Sequence, residues 1–386
     1  MYRSNQTYTE VFCDMIPILY NSSEQDFTSN GIGKMHGVTE CKVTKERNGV
    51  FDLDMKYATN SPHYAGLYEG CVIVCSHDDS GDLQPFRIQK IKREIKYAKI
   101  EARHDAQVQI AGLPVWPYPS GSKTVAQVME HLTTLAQTWA NTYPLAGMTF
   151  ETNIGKTVKY NKALPRFVSE FLVGKEGSLV DLLGGGELLY DWHTVKLLNA
   201  IGVDKHIRIS YGKNISEITG ETSMGECYTG VYIYYTKDGG IKYANTYDFN
   251  TENSVAKYMP NYYELDITSD FQNEPQSEGD FYTVADARAA AMEAKKPWTN
   301  IYQNISVSWY ELSQLSEYTH LPKRSVGLGD YVNVYYPAFG IDKKVEVVKT
   351  VWDPLRERYD TLELNSMKKS LHNTLTSMIQ NQIRRT

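Results

Sequence analysis

Several groups of residues in this 386-residue chain are of types that could do chemistry, and their spacing decides what each can do. Gly31-Ile32-Gly33-Lys34-Met35-His36-Gly37 suggests a nucleotide loop. A dinucleotide fingerprint needs glycine where His36 stands, and Lys34 lacks the four-residue spacer of a phosphate-binding loop, so the run reads as a tight turn between strands. His77-Asp78-Asp79 and His104-Asp105 set imidazoles beside carboxylates, as metal and acid–base sites do. Neither has a second histidine at helical or strand spacing, and no HExxH is present. His77, beside Ser80-Gly81, therefore reads as a solvated turn residue, and His104 as a satisfied strand residue. Cys71 and Cys75, four apart in a strand-like run, should face one side. No second pair follows at zinc-ligand spacing, so they read as buried thiols. Ser223 lies one residue off the nucleophile-elbow spacing. Nothing in the sequence would activate Cys227 as a thiolate. The carboxylates are spread too evenly to nominate a glycosidase pair. The residues thus predict no catalytic group, no metal and no cofactor.

Composition narrows the class further. Hydrophobic residues make up 41% and charged residues 22%, an ordinary globular balance that argues against disorder. No run approaches eighteen apolar residues, and the start MYRSNQTYTEV lacks the apolar core of a signal peptide, so the sequence predicts no membrane insertion and a cytoplasmic origin. The net charge of -6 supplies no basic field for gripping duplex nucleic acid. Five cysteines, an odd count in that compartment, argue against a disulfide framework. The 29 tyrosines suit packed sheets with wet faces or protein interfaces.

The elements follow from periodicity. Residues 85–118 organise the chain: Phe86 and Ile88, then Ala98, Ile100, Ala102 and His104, alternate with polar residues as half-buried strands do. Lys92-Arg93-Glu94 fits the hairpin tip, a bulge is expected near Ile91, and Pro114, Pro117 and Pro119 stop the sheet. Residues 11–19 read as a first strand, Glu40–Val43 and Gly49–Met55 as further strands, and residues 63–76 as a turn and an apolar strand. After the prolines, Thr124 with Gln127 forms a capping box ahead of an amphipathic helix carrying Val125, Val128, Met129, Leu132, Leu135, Ala136 and Trp139. A short helix begins at Ser178 and ends at Gly184–Gly186. Strands return over residues 187–250, with Asp238-Gly239-Gly240 as a hairpin turn. A helix is expected from Thr283, capped by Asp286 and stopped by Pro297, then strands around Ile305, Val307 and Trp309, around Val332, Val334 and Tyr336, around Val345 and Val347, and around Leu362 and Leu364. From 366 to 386 a narrow stripe of Met367, Leu371, Leu375, Met378, Ile379 and Ile383 predicts a helical tail that needs a partner. The fold class read from this is mainly β with α (α+β), in five segments: residues 1–111, 112–186, 187–282, 283–365 and 366–386.

Four stretches, in order, carry a resemblance: QPFRI with EARHDA and AGLPV over residues 84–115; GIGKMHGVTECKVTKERNGVFDLDMKY; GGGELLYDWHTVKLLNAIGVDKHIRISYGKNISEI; and SVGLGDYVNVYYPAFGIDKKVEVVKTVWDPLRERYDTLEL. Together they resemble the N-terminal hub region of siphophage tail proteins, the family called tail-associated lysin, prophage tail endopeptidase or phage minor structural protein. The resemblance implies a baseplate-hub architecture with two tube-like β-barrels per subunit. It further implies a homotrimer at the virion tail tip that docks beneath the distal tail protein, adjoins other tail-tip proteins and the tape measure protein, and opens for DNA passage without reading its sequence.

Some members of the family continue into a peptidoglycan-cleaving or sugar-binding domain. Here only about twenty residues follow the last expected strand, too few to fold such a domain, so a structural hub is expected rather than an enzyme. A tail-associated peptidoglycan endopeptidase and a host-glycan receptor-binding module are the alternatives from other classes.

Overall fold

The computed structural model describes residues 16–365 except 144–146, 161–165, 176, 211–214, 224–226, 253–254, 272–273, 300–301 and 310–324. Among the described residues, twenty-one strands and five α-helices give a mostly β chain with helices, consistent with the α+β class. The chain divides into two compact units: residues 1–219 with 306–386, and residues 220–305.

The first unit is built on hairpins. β1 (Ile18–Tyr20) pairs with β2 (Gly33–Lys34). β3 (Val38–Glu46) and β4 (Phe51–Ala58) pair with Val43 opposite Leu53. Their turn puts Asn48 at φ 54, the left-handed region that asparagine tolerates. Phe51, Leu53, Met55 and Tyr57 all fall on the buried face of β4. β5 (Val72–Ser76), β6 (Leu83–Arg93) and β7 (Tyr97–His104) follow. The β6–β7 hairpin turns over residues 94–96, two residues beyond the expected Lys92-Arg93-Glu94 tip, and the bulge falls between Ile88 and Lys90.

A mixed segment comes next. α1 (Asp105–Gly112) leads to β8 (Gly121–Thr124) and α2 (Val125–Ala140). The expected capping box of α2 is present in both directions, Thr124 with the Gln127 amide and Gln127 with the Thr124 amide. Its stripe from Val125 to Ala136 is buried, about 1.5–3 kcal/mol for each large side chain fully removed from water. β9 (Thr149–Thr152), β10 (Thr157–Tyr160), α3 (Val168–Leu172) and α4 (Leu179–Leu183) follow. α4 starts after Ser178 and ends on left-handed Gly184, as its sequence requires. β10 pairs with β8, and β11 (Glu187–Asp191), β12 (Thr194–Leu198) and β9 form a separate three-stranded sheet.

β13 (Asp204–Ser210) and β14 (Ile215–Ser223) return to the main sheet, and the chain then enters the second unit. There, β15 (Gly230–Lys237) is the centre of a three-stranded sheet, flanked by β16 (Gly240–Asp248) and β17 (Tyr262–Asp266). Asp238 and Gly239, both at positive φ, make the expected hairpin turn. α5 (Glu278–Glu293) supplies Phe281, Ala285 and Ala289 to a core with Val231, Ile233, Tyr235, Phe249 and Ile267.

β18 (Tyr302–Trp309), β19 (Tyr331–Tyr336), β20 (Ile341–Asp353) and β21 (Arg358–Asn365) complete the chain. The main sheet runs β14-β18-β21-β20-β3-β4-β7-β6-β5-β1-β2, with β19 beside β20 and β13 beside β19. β20 joins the two ends of the sequence, pairing Lys349 with Glu46 and Trp352 with Val43. The sheet curls: Trp352 Nε1 on β20 donates to Ser76 Oγ on β5 at 3.3 Å, and the Cys41 and Cys75 thiols meet across the same interior.

Three expectations are corrected. The strand through EARHDA does not run to the prolines: it ends at His104, and α1 intervenes. Helix α5 begins at Glu278, five residues before Thr283. Its capping box is Ser277 with Asp280, while Asp286 instead accepts the Tyr247 hydroxyl at 2.7 Å. His77 is not solvated but buried. Of the first expected strand only the end is seen, in β1, since residues 1–15 lie outside the described residues. The helical tail at 366–386 also lies outside them.

Candidate functional site: a buried imidazole network

The imidazoles singled out in the sequence come together inside the first unit. β4 places Phe51, β5 ends at Ser76 just before His77, β6 places Gln84, and β7 ends at His104, where the backbone turns into α1. His104 is fully buried and stacks on Phe51 with centroids 4.7 Å apart and planes within 9°. His77 meets the same Phe51 ring edge-on at 5.5 Å. Lys45 holds its ammonium 4.8 Å from the centre of that ring.

Gln84 joins these groups to the β11–β12 hairpin. Its carbonyl oxygen lies 3.0 Å from His104 Nε2 and accepts the Trp192 amide at 2.8 Å. Because that oxygen only accepts, His104 carries its proton on Nε2. The Gln84 amide donates to Asp191 at 3.2 Å, and Asp191 pairs with Lys196 at 2.9 Å. Among the described residues, His104 Nδ1 has no hydrogen-bond partner, and neither does His77 Nδ1, which lies 3.2 Å from Asp78 without hydrogen-bond geometry.

Burial holds His104 well below the ordinary imidazole range, with nearby Lys45, His77 and His193 pushing the same way. Burial, then Lys45, lowers His77 to about 4, against the opposing pull of Asp78, Asp82 and Asp191. Burial lowers Lys45 too. Both imidazoles are therefore neutral at pH 7. Through Gln84 the buried imidazole ties the β6–β7 hairpin to the β11–β12 hairpin.

The other sequence candidates stay apart from it. Gly31, at φ 55, sits in a tight connection where Ile32 donates to Leu19 and Met35 to Pro17, and no phosphate cradle forms. Asp105 is buried against Arg87, whose Nη1 also reaches the carbonyls of Ser22 and Gly70. Cys71 and Cys75 are both buried, but they do not act as a pair: Cys71 Sγ contacts the Gly66 carbonyl while Cys75 meets Cys41. Ser223 ends β14, and Cys227 is buried in the second unit. Among the described residues no group of three or more His, Cys, Asp or Glu is arranged to hold a metal ion, and no helix is long and apolar enough to cross a membrane.

Sequence reasoning missed the contacts made by two turn residues. Asn48, at the β3–β4 turn, accepts the Leu188 amide and donates to the Gly186 carbonyl, each at 2.8 Å. Asp330, just before β19, accepts from the Val203 amide at 2.9 Å and the Gly327 amide at 2.8 Å. The Gly-Asp pair at 329–330 was the available signal. A Cβ on Gly202 would sit 2.0 Å from the Gly329 carbonyl carbon, so the two backbones touch there.

Comparison with known proteins agrees with this fold. The profile of the prophage endopeptidase tail family matches residues 203–375. No curated protein matches the sequence. Among solved structures, prophage tail protein gp18 from Listeria monocytogenes EGD-e is 15% identical, covers 95% of this chain and 98% of its own, and superposes with a TM-score of 0.52. A tail protein from Neisseria meningitidis MC58 is 9% identical over 92% of this chain and 97% of its own, with a TM-score of 0.54. The 43 kDa tail protein of prophage MuSo2 from Shewanella oneidensis is 13% identical over 92% and 98%, also at 0.54. The resemblance to the phage tail protein family is thereby shown, in sequence over residues 203–375 and in fold over nearly the whole chain.

Proposed function

We propose that the chain is a structural protein of the tail tip of a long-tailed phage or prophage: a trimeric hub that closes the distal end of the tail tube and opens for DNA passage. The observation that carries this reading is the extent of the fold match, more than nine-tenths of both chains in each of three tail proteins. The curling main sheet supports it. Among the described residues one wide sheet leaves β2, β13 and β14 as edges, and closed assembly is the usual way to cover exposed edges. In this reading two tube-like barrels per subunit make a pseudo-sixfold ring beneath the distal tail protein, with the tape measure protein above. The net charge of -6 suits a conduit that must not retain phosphate chains.

The hub acts without hydrolysing peptidoglycan, a reading supported by the neutral, enclosed state of both candidate imidazoles. Light scattering of the purified chain, alone and mixed with the distal tail protein of the same phage, tests the assembly. Three copies per complex is the expected result; a persistent monomer or dimer in the mixture would overturn the hub.

A further inference from the structure

We infer that the outer face of the β16-β15-β17 sheet in the second unit docks a basic polypeptide segment, its lysine or arginine side chains lying on tyrosine rings and pairing with carboxylates. α5 covers the other face, where Val231, Ile233 and Tyr235 point. Strand alternation therefore sends Tyr232 and Tyr234 outward, with their ring centroids 5.6 Å apart. Register puts Glu264 beside Tyr232 and Asp266 beside Tyr234 on β17. On β16 the opposing residues are Thr246 and Ala244, too short to cover the rings.

A third ring extends the platform. A Cβ on Gly230 would lie 2.5 Å from the Tyr262 ring, so that ring crosses the sheet over the glycine, and its hydroxyl donates to Asp248. Tyr262 is 37% exposed, and Glu264, Asp266 and Asp248 are exposed.

The charge pattern identifies the occupant. Elsewhere this chain completes tyrosine–carboxylate pairs with its own cations: Lys242 lies over Tyr243 and bonds Glu274, and Lys344 lies over Tyr331 and bonds Asp204. On the outer face the rings and carboxylates are in place, yet none of Asp248, Glu264 and Asp266 forms an ion pair with a described residue. A cation over a tyrosine contributes about 0.5–2 kcal/mol and an exposed ion pair about 0.2–1 kcal/mol, enough together to seat a short basic segment.

Titration calorimetry of the full chain with a nine-residue peptide alternating lysine and glycine tests this. Wild type should bind it, several-fold more weakly at 300 mM than at 50 mM salt. Glu264→Gln with Asp266→Asn should weaken binding about fivefold, and Tyr234→Thr about threefold. In unaltered protein the peptide should also protect Tyr232 and Tyr234 from nitration, read by mass spectrometry of the digest, which removes any dependence on how the variants fold. Absence of binding, unprotected tyrosines, or binding of a neutral chitin oligosaccharide in place of the peptide would each overturn the assignment.

Discussion

Lowering the pH from 7 to 5 should destabilise the first unit through its enclosed imidazoles. His77 titrates at about 4 in the folded chain and at about 6.5 once unfolded. The unfolded state then binds more protons than the native state between those values, so stability present above pH 6.5 is lost as pH falls toward 4. Over the step from pH 7 to 5, His77 alone accounts for about 1.8 kcal/mol. His104, shifted the same way by complete burial, adds a loss of the same sign. The assay is urea unfolding followed by far-ultraviolet dichroism at pH 7, 6 and 5, in wild type and in His77→Leu. Wild type should lose about 2–4 kcal/mol across the series, and the variant should lose about 1.8 kcal/mol less. A flat wild-type profile, or an equal slope in His77→Leu, would refute the burial argument.

Asp330→Ala removes the acceptor for two main-chain amides and should cost about 3–5 kcal/mol in thermal or urea unfolding, with Asp330→Asn intermediate because one acceptor oxygen remains. Leu132→Ala empties a fully buried position on α2 and should cost about 2–5 kcal/mol by the same measurement. Elemental analysis should find no stoichiometric zinc, and thiol titration after unfolding should recover Cys71 and Cys75 reduced; bound zinc would end the buried-thiol reading. Incubation with peptidoglycan should release no muropeptides, and release abolished by a single His, Cys or Asp substitution would show the hub to be an enzyme.

Local chemistry was what the sequence made legible. The Thr124–Gln127 box, the glycine stop at Gly184, the Asp238-Gly239 turn and the bulge before Lys90 each depend on a few adjacent residues, and each is found where the residues put it. α1 escaped notice because its eight residues span barely two turns, too few for helical periodicity to separate from the preceding strand alternation. The Ser277–Asp280 box was present as Ser-Glu-Gly-Asp, but its glycine masked a helix start. His77 looked like a solvated turn because His-Asp-Asp-Ser-Gly is loop chemistry; its burial comes from distant residues, with Phe51 and Lys45 packed around it. The union of β20 with β3 was equally invisible, since alternation marks a strand but not its neighbour.

That union sets a timetable for synthesis. β3 is complete by Glu46, yet the strand that hydrogen-bonds its far edge includes Lys349, roughly 300 residues later. Translation at about 5–20 residues per second leaves this edge uncovered for about 15–60 s on the ribosome. During that interval the N-terminal hairpins hold an open row of amides and carbonyls beside Cys41, Val43 and their apolar neighbours. Closure of the main sheet is consequently a late, non-local event, slow for its size, and sensitive to how long a chaperone shields the nascent edge.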